Sequence, residues 1–322
     1  MSRPPICARC AAIVQAAFVG SLLMNLAARP AWAHAGEPLA PHDLWGAWLE
    51  DPAALAVIGL ASWLYARGCG ALWARAGMGR GIPRWRLWSY STGVLVLLLA
   101  LVSPLDPLGG ALFSAHMVQH ELLIMVAAPL LLLGHPLLAF TWALPRPWRK
   151  PLGRRIRTPP VRALWRWLTR PAVAWTLYAI ALWLWHTPRL YEAALTSEPV
   201  HLLQHLSFFA TALLFWWPVL HPSPYRRLGA VLAVFYLFAT ALHGSALGAF
   251  LSLSRRAWYP AYEEGVARWG MTLLEDQQLG GLIMWIPFGA LYPAIALGLL
   301  GHWLRRPNEQ AGHVPIVPAS KV

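Results

Sequence analysis

The chain has 322 residues, of which 58% are apolar and 12% charged, and its formal net charge is +13. A soluble domain of this size would lack the polar surface needed to cover its exterior, so the composition excludes an ordinary soluble protein and indicates an integral membrane protein. The basic residues lie between long apolar stretches rather than along one exposed face. This distribution argues against a nucleic-acid-binding protein.

Residues 1–33 are predicted to be a signal peptide. Two arginines precede an apolar stretch at 11–28, and Ala31-Trp32-Ala33 has the small–x–small pattern of a cleavage site. An uncleaved anchor helix is the alternative, because Arg29 follows the apolar stretch. The mature chain keeps one cysteine, Cys69, so no intramolecular disulfide framework is expected.

Seven later segments approach the roughly 20 apolar residues needed to cross a hydrocarbon core. We therefore predict an all-α integral membrane protein with a periplasmic segment at 34–46, a seven-helix transmembrane domain at 47–304 and a cytoplasmic tail at 305–322. Small residues such as Gly244 and Gly248 are expected to let helices approach closely. The predicted spans are 47–66, 86–103, 111–134, 171–187, 199–219, 228–252 and 274–304.

The distribution of charge predicts the orientation of the bundle. Nineteen Lys and Arg residues fall in one set of alternate loops and the tail, and four fall in the opposite set. Positive charge is retained on the cytoplasmic side, so the mature N-terminus is predicted to be periplasmic and the C-terminus cytoplasmic, in a bacterial inner membrane. An export signal at the N-terminus predicts the same orientation.

Two pairs of histidines are predicted to lie at the outward end of the bundle. His116 and His120 are four residues apart near the start of the third span, and His201 and His205 repeat that spacing at the start of the fifth. Residues four apart share a helix face. Both helices run inward, so the pairs occupy the outermost turns, about 3 to 14 Å along the axis.

Other spans add further candidate ligands at similar depth. His186 ends the fourth span on the outward side, and His243 lies two to three turns below the outer end of the sixth. Imidazole inside a membrane is costly without a partner and is a common ligand of copper and zinc, so a transition-metal site is predicted. Glu121, Met117 and Asp276 are candidates either as additional ligands or as partners that orient a ring.

Structural explanations for the same residues remain open at this point. A histidine pair can hydrogen-bond to backbone carbonyls of a neighbouring helix, and His201 can be an interfacial residue. Thr272 and Glu275 form the pattern of a capping box at the start of the last span, and Asp276 would favour that helix N-terminus through the dipole. His34, if exposed by cleavage, offers an amine and an imidazole to copper; a mobile lead-in segment is its alternative.

Several runs of sequence resemble the polytopic CtaG family of cytochrome c oxidase assembly factors, the type associated with caa-type oxidases. The resemblance covers about residues 50 to 304. The runs that carry it are Ser103-Pro-Leu-Asp106-Pro-Leu-Gly, Ser114-Ala-His116-Met-Val-Gln-His120-Glu121, Trp185-His186-Thr-Pro, Val200-His201-Leu-Leu-Gln-His205, His243-Gly244-Ser245 and Glu275-Asp276-Gln277-Gln278.

The resemblance implies a non-enzymatic role in maturing a heme-copper oxidase. Copper delivery is the inferred chemistry, with oxidase subunits and a periplasmic copper chaperone as expected partners, besides membrane lipid. A copper role for the paired histidines rests on ligand chemistry rather than on the resemblance. The alternatives are a copper permease and a heme-binding membrane protein in which two histidines on different helices clamp one iron.

Overall fold

The computed structural model describes residues 38–48, 52–220 and 228–305, and these residues form helices, turns and no strand. The predicted signal peptide, His34 and most of the predicted cytoplasmic tail lie outside the described residues. The helices are α1 (Pro52–Ala76), α2 (Arg84–Leu101), α3 (Leu105–Ala111), α4 (Phe113–Leu133), α5 (Pro136–Ala143), α6 (Arg146–Ile156), α7 (Pro159–Leu168), α8 (Pro171–Trp185), α9 (Pro188–Thr196), α10 (Glu198–Leu220), α11 (Ala230–Ser252), α12 (Glu263–Arg268) and α13 (Leu273–Leu304).

Six stretches among the described residues are long and apolar enough to cross a membrane, so the protein is a multi-pass membrane protein. These six correspond to six of the seven predicted spans. The remaining predicted span, 171–187, is the shorter apolar helix α8 of 15 residues. At about 1.5 Å per residue it is roughly 22 Å long, less than the roughly 30 Å hydrocarbon core. A count of seven spans therefore stays a prediction.

The first span differs from its prediction in position. Helix α1 continues ten residues beyond the predicted end at residue 66, through Arg67 and on to Ala76. Arg67 remains in the helix because its guanidinium lies over the ring of Trp63 at 5.4 Å and donates to the carbonyl of Ala143 at 2.9 Å. An arginine satisfied in this way does not end a span, and this was not apparent from charge alone.

Helices α11 and α13 pack closely through glycines, as predicted for Gly244 and Gly248. A Cβ atom built on Gly248 would lie 2.7 Å from the backbone nitrogen of Trp285 and 2.8 Å from the carbonyl oxygen of Gly281. One built on Gly244 would overlap the ring of Phe288. These contacts fix the depth at which α11 lies along α13. Helix α13 begins with the predicted capping box between Thr272 and Glu275, which is confirmed.

The ends of four helices meet at one end of the bundle. Helices α4, α10 and α13 begin there and α8 ends there, because contacts join His116 to His205, Asp276 to Ser114 and His186 to Met117. We call this the histidine end. Helices α6 and α7, which directly precede α8, therefore lie at the opposite end, where the sequence predicted only a basic loop.

Candidate metal site

The first turns of α4 bring two imidazoles together inside the protein. His116 and His120 are 1% and 3% exposed, and their Nε2 atoms are 2.9 Å apart. The predicted spacing of four therefore produces a direct contact between the rings. A π-helical stretch, Leu122–Ala127, follows immediately after this pair. Such widened turns are often found at functional sites because they change the direction in which side chains project.

Helix α10 completes the group from the opposite side. The ring centroid of His205 lies 5.3 Å from that of His120 and 5.7 Å from that of His116. One ligand nitrogen from each of these three residues lies within 4.8 Å of the other two. We call His116, His120 and His205 the three-histidine cluster.

His201 lies at the rim of the cluster rather than within it. It is half-buried, and its ring centroid is 4.2 Å from that of His205 and 5.5 Å from that of His116. The predicted pair on α10 therefore faces the predicted pair on α4. His201 is the member of the two pairs that is most accessible from outside the bundle.

His186 and Met117 form a second buried contact beside the cluster. His186 Nε2 lies 3.5 Å from the Sδ atom of Met117, and the His186 ring centroid is 6.4 Å from that of His120. Both side chains are buried. A thioether next to an imidazole is a softer donor set than imidazole alone, and it suits Cu(I) better than zinc.

Backbone carbonyls fix which nitrogen of two rings carries the proton. A carbonyl only accepts, so His116 Nδ1 must be the donor to Gly109 at 3.3 Å, and His186 Nδ1 the donor to Leu182 at 2.6 Å. Their Nε2 atoms, which face His120 and Met117, then carry no proton in the neutral rings and are free to accept a metal ion. Histidines that bind metals commonly donate their second nitrogen in this way.

Asp276 supports the site without entering it. Its carboxylate accepts the backbone N–H of Phe113 at 2.6 Å, that of Ser114 at 3.1 Å, and the hydroxyl of Ser114. The sequence offered Asp276 as an additional ligand, as a partner that orients a ring, or as a residue that favours the start of its own helix. Instead it caps the N-terminus of α4, the helix that carries His116 and His120.

Glu121 and His243 lie apart from the cluster. Glu121 is 8% exposed, interacts electrostatically with Tyr178 and Tyr292, and has an Oε2 atom with no partner in the described chain. The ring of His243 packs on Trp175 at 5.2 Å, eleven residues before His186 on α8. That separation is about 16 Å along the helix. His243 therefore lies deeper in the bundle than His186, beside the glycine contacts between α11 and α13, and its role as a ligand stays a prediction.

Gln119 and Gln204 belong to the site although glutamine is not part of the predicted set of ligands. Both are fully buried, each one residue before a histidine of the cluster. The Nε2 of Gln119 donates to the Ala100 carbonyl and to Asp106, which ties α4 to α2 and α3. The side chain of Gln204 lies next to His116. The repeated pattern His-x-x-Gln-His was the signal for both residues.

Three tyrosines from the connecting segments cover the histidine end. The Tyr262 hydroxyl donates to the Gly109 carbonyl at 3.0 Å and lies 3.4 Å from His116 Nδ1. A hydrogen bond of 2.9 Å links the hydroxyls of Tyr191 and Tyr262. Tyr259 donates to the His186 carbonyl at 2.8 Å. Burial raises the pKa of the Tyr262 hydroxyl, so it remains protonated as a donor.

The cluster fits a transition-metal ion. Zinc–imidazole bonds of about 2.0–2.1 Å place two nitrogens on one ion at most about 4.2 Å apart. Three nitrogens arranged around one ion at that bond length lie about 3.6 Å from one another, so each pair, within 4.8 Å here, needs to close by at most about 1.2 Å. His120 Nδ1 and His205 Nε2 are buried without a hydrogen-bond partner in the described chain. Such atoms are costly unless something binds them.

A family comparison identifies the chain. The sequence profile of the family described as cytochrome c oxidase caa3 assembly factor (Caa3_CtaG) matches residues 63–306, which include every histidine of the site. The chain belongs to this family. The resemblance found in the sequence motifs is thereby confirmed.

The curated relatives that match are longer than this chain. Uncharacterized proteins of Mycobacterium bovis and Mycobacterium tuberculosis are each 27% identical over 259 residues, which is 77% of this chain and 38% of the relative. An uncharacterized protein of Mycobacterium leprae is 25% identical over 245 residues, 71% of this chain and 36% of the relative. The chain thus spans less than two fifths of these relatives. No solved structure shows significant similarity to it.

Proposed function

We propose that this protein binds copper at the three-histidine cluster and passes the ion to a subunit of a caa-type cytochrome c oxidase during assembly. Membership of the assembly-factor family supports the role in oxidase assembly. The observation that carries the copper proposal is the convergence of His116, His120 and His205 from two helices on one point. The neighbouring thioether of Met117 favours copper over zinc.

The proposed site faces the periplasm of a bacterial inner membrane. The excess of Lys and Arg in the loops at the opposite end supports this orientation. Copper would then be received from a periplasmic chaperone and returned to an oxidase subunit on the same side. The tyrosine cover and the half-buried His201 lie between the cluster and that side.

The proposed transfer is an exchange of ligands and not an enzymatic reaction. His201 lies at the rim, with its ring centroid 4.2 Å from that of His205. From there it would hold the ion while nitrogens of the three-histidine cluster replace a ligand of the chaperone. Copper keeps its oxidation state throughout, and no bond other than metal–ligand bonds forms or breaks. Fixed Nδ1 protons on His116 and His186 keep their Nε2 atoms available at each stage.

Heme binding is less well supported by the geometry. The rings of His120 and His205 are in edge contact, with Phe208 packed 4.6 Å from His120 by ring centroid. A macrocycle between two axial imidazoles requires an open slot, and these rings are packed against each other instead.

The role in assembly is tested in a strain that lacks the gene. The strain is complemented with wild-type protein, with the double variant His116→Ala/His205→Ala, or with His42→Ala, an exposed histidine distant in sequence from the site. We expect the double variant to yield oxidase with normal heme but reduced copper and activity, and His42→Ala to restore both. Normal copper in the oxidase of the double variant, produced at wild-type levels, would contradict the proposal. Copper uptake into proteoliposomes would instead indicate a permease.

A further inference from the structure

A membrane-facing cavity lies between α1, α2, α4 and α10 and begins at Phe209, four residues beyond His205 on α10. Its volume is about 530 Å³, within the range of roughly 300–1,000 Å³ that is usual for small-molecule sites. Its walls are apolar and aromatic; they include Ile58, Val94, Leu131, Phe209, Leu213 and Trp217.

The cavity continues toward the end of the bundle opposite the histidines. A second cavity of about 170 Å³ shares Leu132, Leu137 and Trp217 with the first and extends to His135 and Leu220. From Phe209 to Leu220 the combined groove follows α10 for about 16 Å at 1.5 Å per residue. It is therefore long, apolar and open to the membrane at one side.

A basic amphipathic hairpin adjoins the lower part of this groove. Residues 145–170, which form α6 and α7, carry nine Lys and Arg residues and no Asp or Glu. Trp148, Leu164 and Trp167 are at least 48% exposed, which is typical of helices that lie in a membrane interface. The hairpin contributes Trp165 to the wall of the groove, where its ring packs against Trp217 at 5.2 Å.

We propose that the groove binds one acyl chain of an anionic phospholipid whose headgroup lies against the arginines of α7. An acyl chain is narrow and apolar, whereas a helix of about 10–12 Å diameter is too wide for a groove of this volume. Arg162 lies three residues before Trp165, so the two share a helix face and place positive charge above the mouth of the groove. This inference is independent of the proposed copper role.

Native mass spectrometry of the full-length protein tests the proposal. Delipidated protein is titrated with phosphatidylglycerol or with phosphatidylcholine that has the same acyl chains. Ala210→Trp fills the groove from its membrane-exposed wall. Val231→Trp, at an exposed position on α11, is the matched control.

A second pair of variants tests the contribution of charge. Arg162→Gln/Arg166→Gln removes the charge near the mouth of the groove, and Arg255→Gln/Arg256→Gln, the control, removes two exposed arginines elsewhere.

We expect phosphatidylglycerol to be retained severalfold better than phosphatidylcholine. Ala210→Trp should reduce the lipid-bound fraction severalfold, whereas Val231→Trp should leave it unchanged. The Arg162/Arg166 variant should lose the preference for phosphatidylglycerol, whereas the Arg255/Arg256 variant should keep it. Equal retention of both lipids by the wild type, or unchanged binding in Ala210→Trp, would overturn the proposal. Size-exclusion profiles confirm that each variant is folded.

Discussion

Asp276 on α13 caps the first turn of α4 from a neighbouring helix, with its Oδ2 atom 2.6 Å from the backbone nitrogen of Phe113. His116 is three residues after Phe113, so this contact fixes the position of the first imidazole of the three-histidine cluster. A single carboxylate thus links the start of the last span to the geometry of the site.

Removing this carboxylate is expected to loosen both the fold and the site. Asp276→Ala leaves the N–H groups of Phe113 and Ser114 buried without an acceptor, at a cost of about 1–3 kcal/mol for each group. The temperature of thermal unfolding in detergent and the affinity for copper should both decrease. The control is Glu275→Ala, which removes the exposed side chain that accepts the Thr272 N–H in the capping box of the same helix. If copper affinity fell equally in both variants, the specific role of Asp276 would be wrong.

Met117 is expected to determine the preference for Cu(I). Met117→Leu conserves volume and should cost less than about 1.5 kcal/mol of stability, while removing the sulfur that lies 3.5 Å from His186. Competition with a chromophoric chelator should show weaker Cu(I) binding and unchanged Zn²⁺ binding. Met125→Leu, a buried methionine five residues after His120, is the matched control and should change neither. An equal loss of affinity for Cu(I) and Zn²⁺ in Met117→Leu would show that Met117 contributes only packing.

Copper affinity is expected to decrease on acidification. Each imidazole must be neutral to bind, so metal binding releases protons, and the ordinary histidine pKa is about 6.5. Affinity should therefore fall at pH values low enough to protonate the buried imidazoles. Titrations carried down to the pH at which the protein unfolds check this. An affinity that stays constant over that whole range would contradict an all-histidine site.

Helices α11 and α13 pack so closely that Gly248 is expected not to tolerate an added methyl group. A Cβ there meets the backbone at 2.7–2.9 Å, so Gly248→Ala should destabilise the protein by about 1–3 kcal/mol. The control is Gly298→Ala on α13. Nothing lies within 4 Å of its new Cβ, so this change should be neutral or stabilising. Comparable melting temperatures for the two variants would show that α11 and α13 can move apart without loss of stability, which would contradict this prediction.

Much of the architecture was predictable because lipid imposes simple rules on sequence. Apolar stretches located six of the long helices, and the spacing of four placed His116 beside His120. The same rules missed α6 and α7, since amphipathic interfacial helices are too polar for a search for spans. They also ended the first span at residue 66, before Arg67, whose guanidinium contacts Trp63 and the Ala143 carbonyl in the folded protein.

The parts of the site that were not predicted depend on contacts between distant segments. Nothing local shows that Asp276 caps α4 rather than α13, because 163 residues separate it from Phe113. The displacement of His243 follows from glycine packing, which sets the relative depth of two helices and is not encoded in hydropathy. Tyr191 in α9 and Tyr262 before α12 lie in short connecting segments with no metal-binding pattern, and only the fold brings them over the histidines.

The proposed copper site is tested by measuring metal binding to the purified protein. Detergent-solubilised wild type, His116→Ala/His120→Ala/His205→Ala and His243→Ala are reconstituted with Cu(I), washed and examined by elemental analysis and an optical spectrum. We predict bound copper in the wild type and in His243→Ala, loss of that copper in the triple variant, and no Soret band in any of them. Equal copper in the folded triple variant and the wild type, or a Soret band in the wild type, would contradict the account.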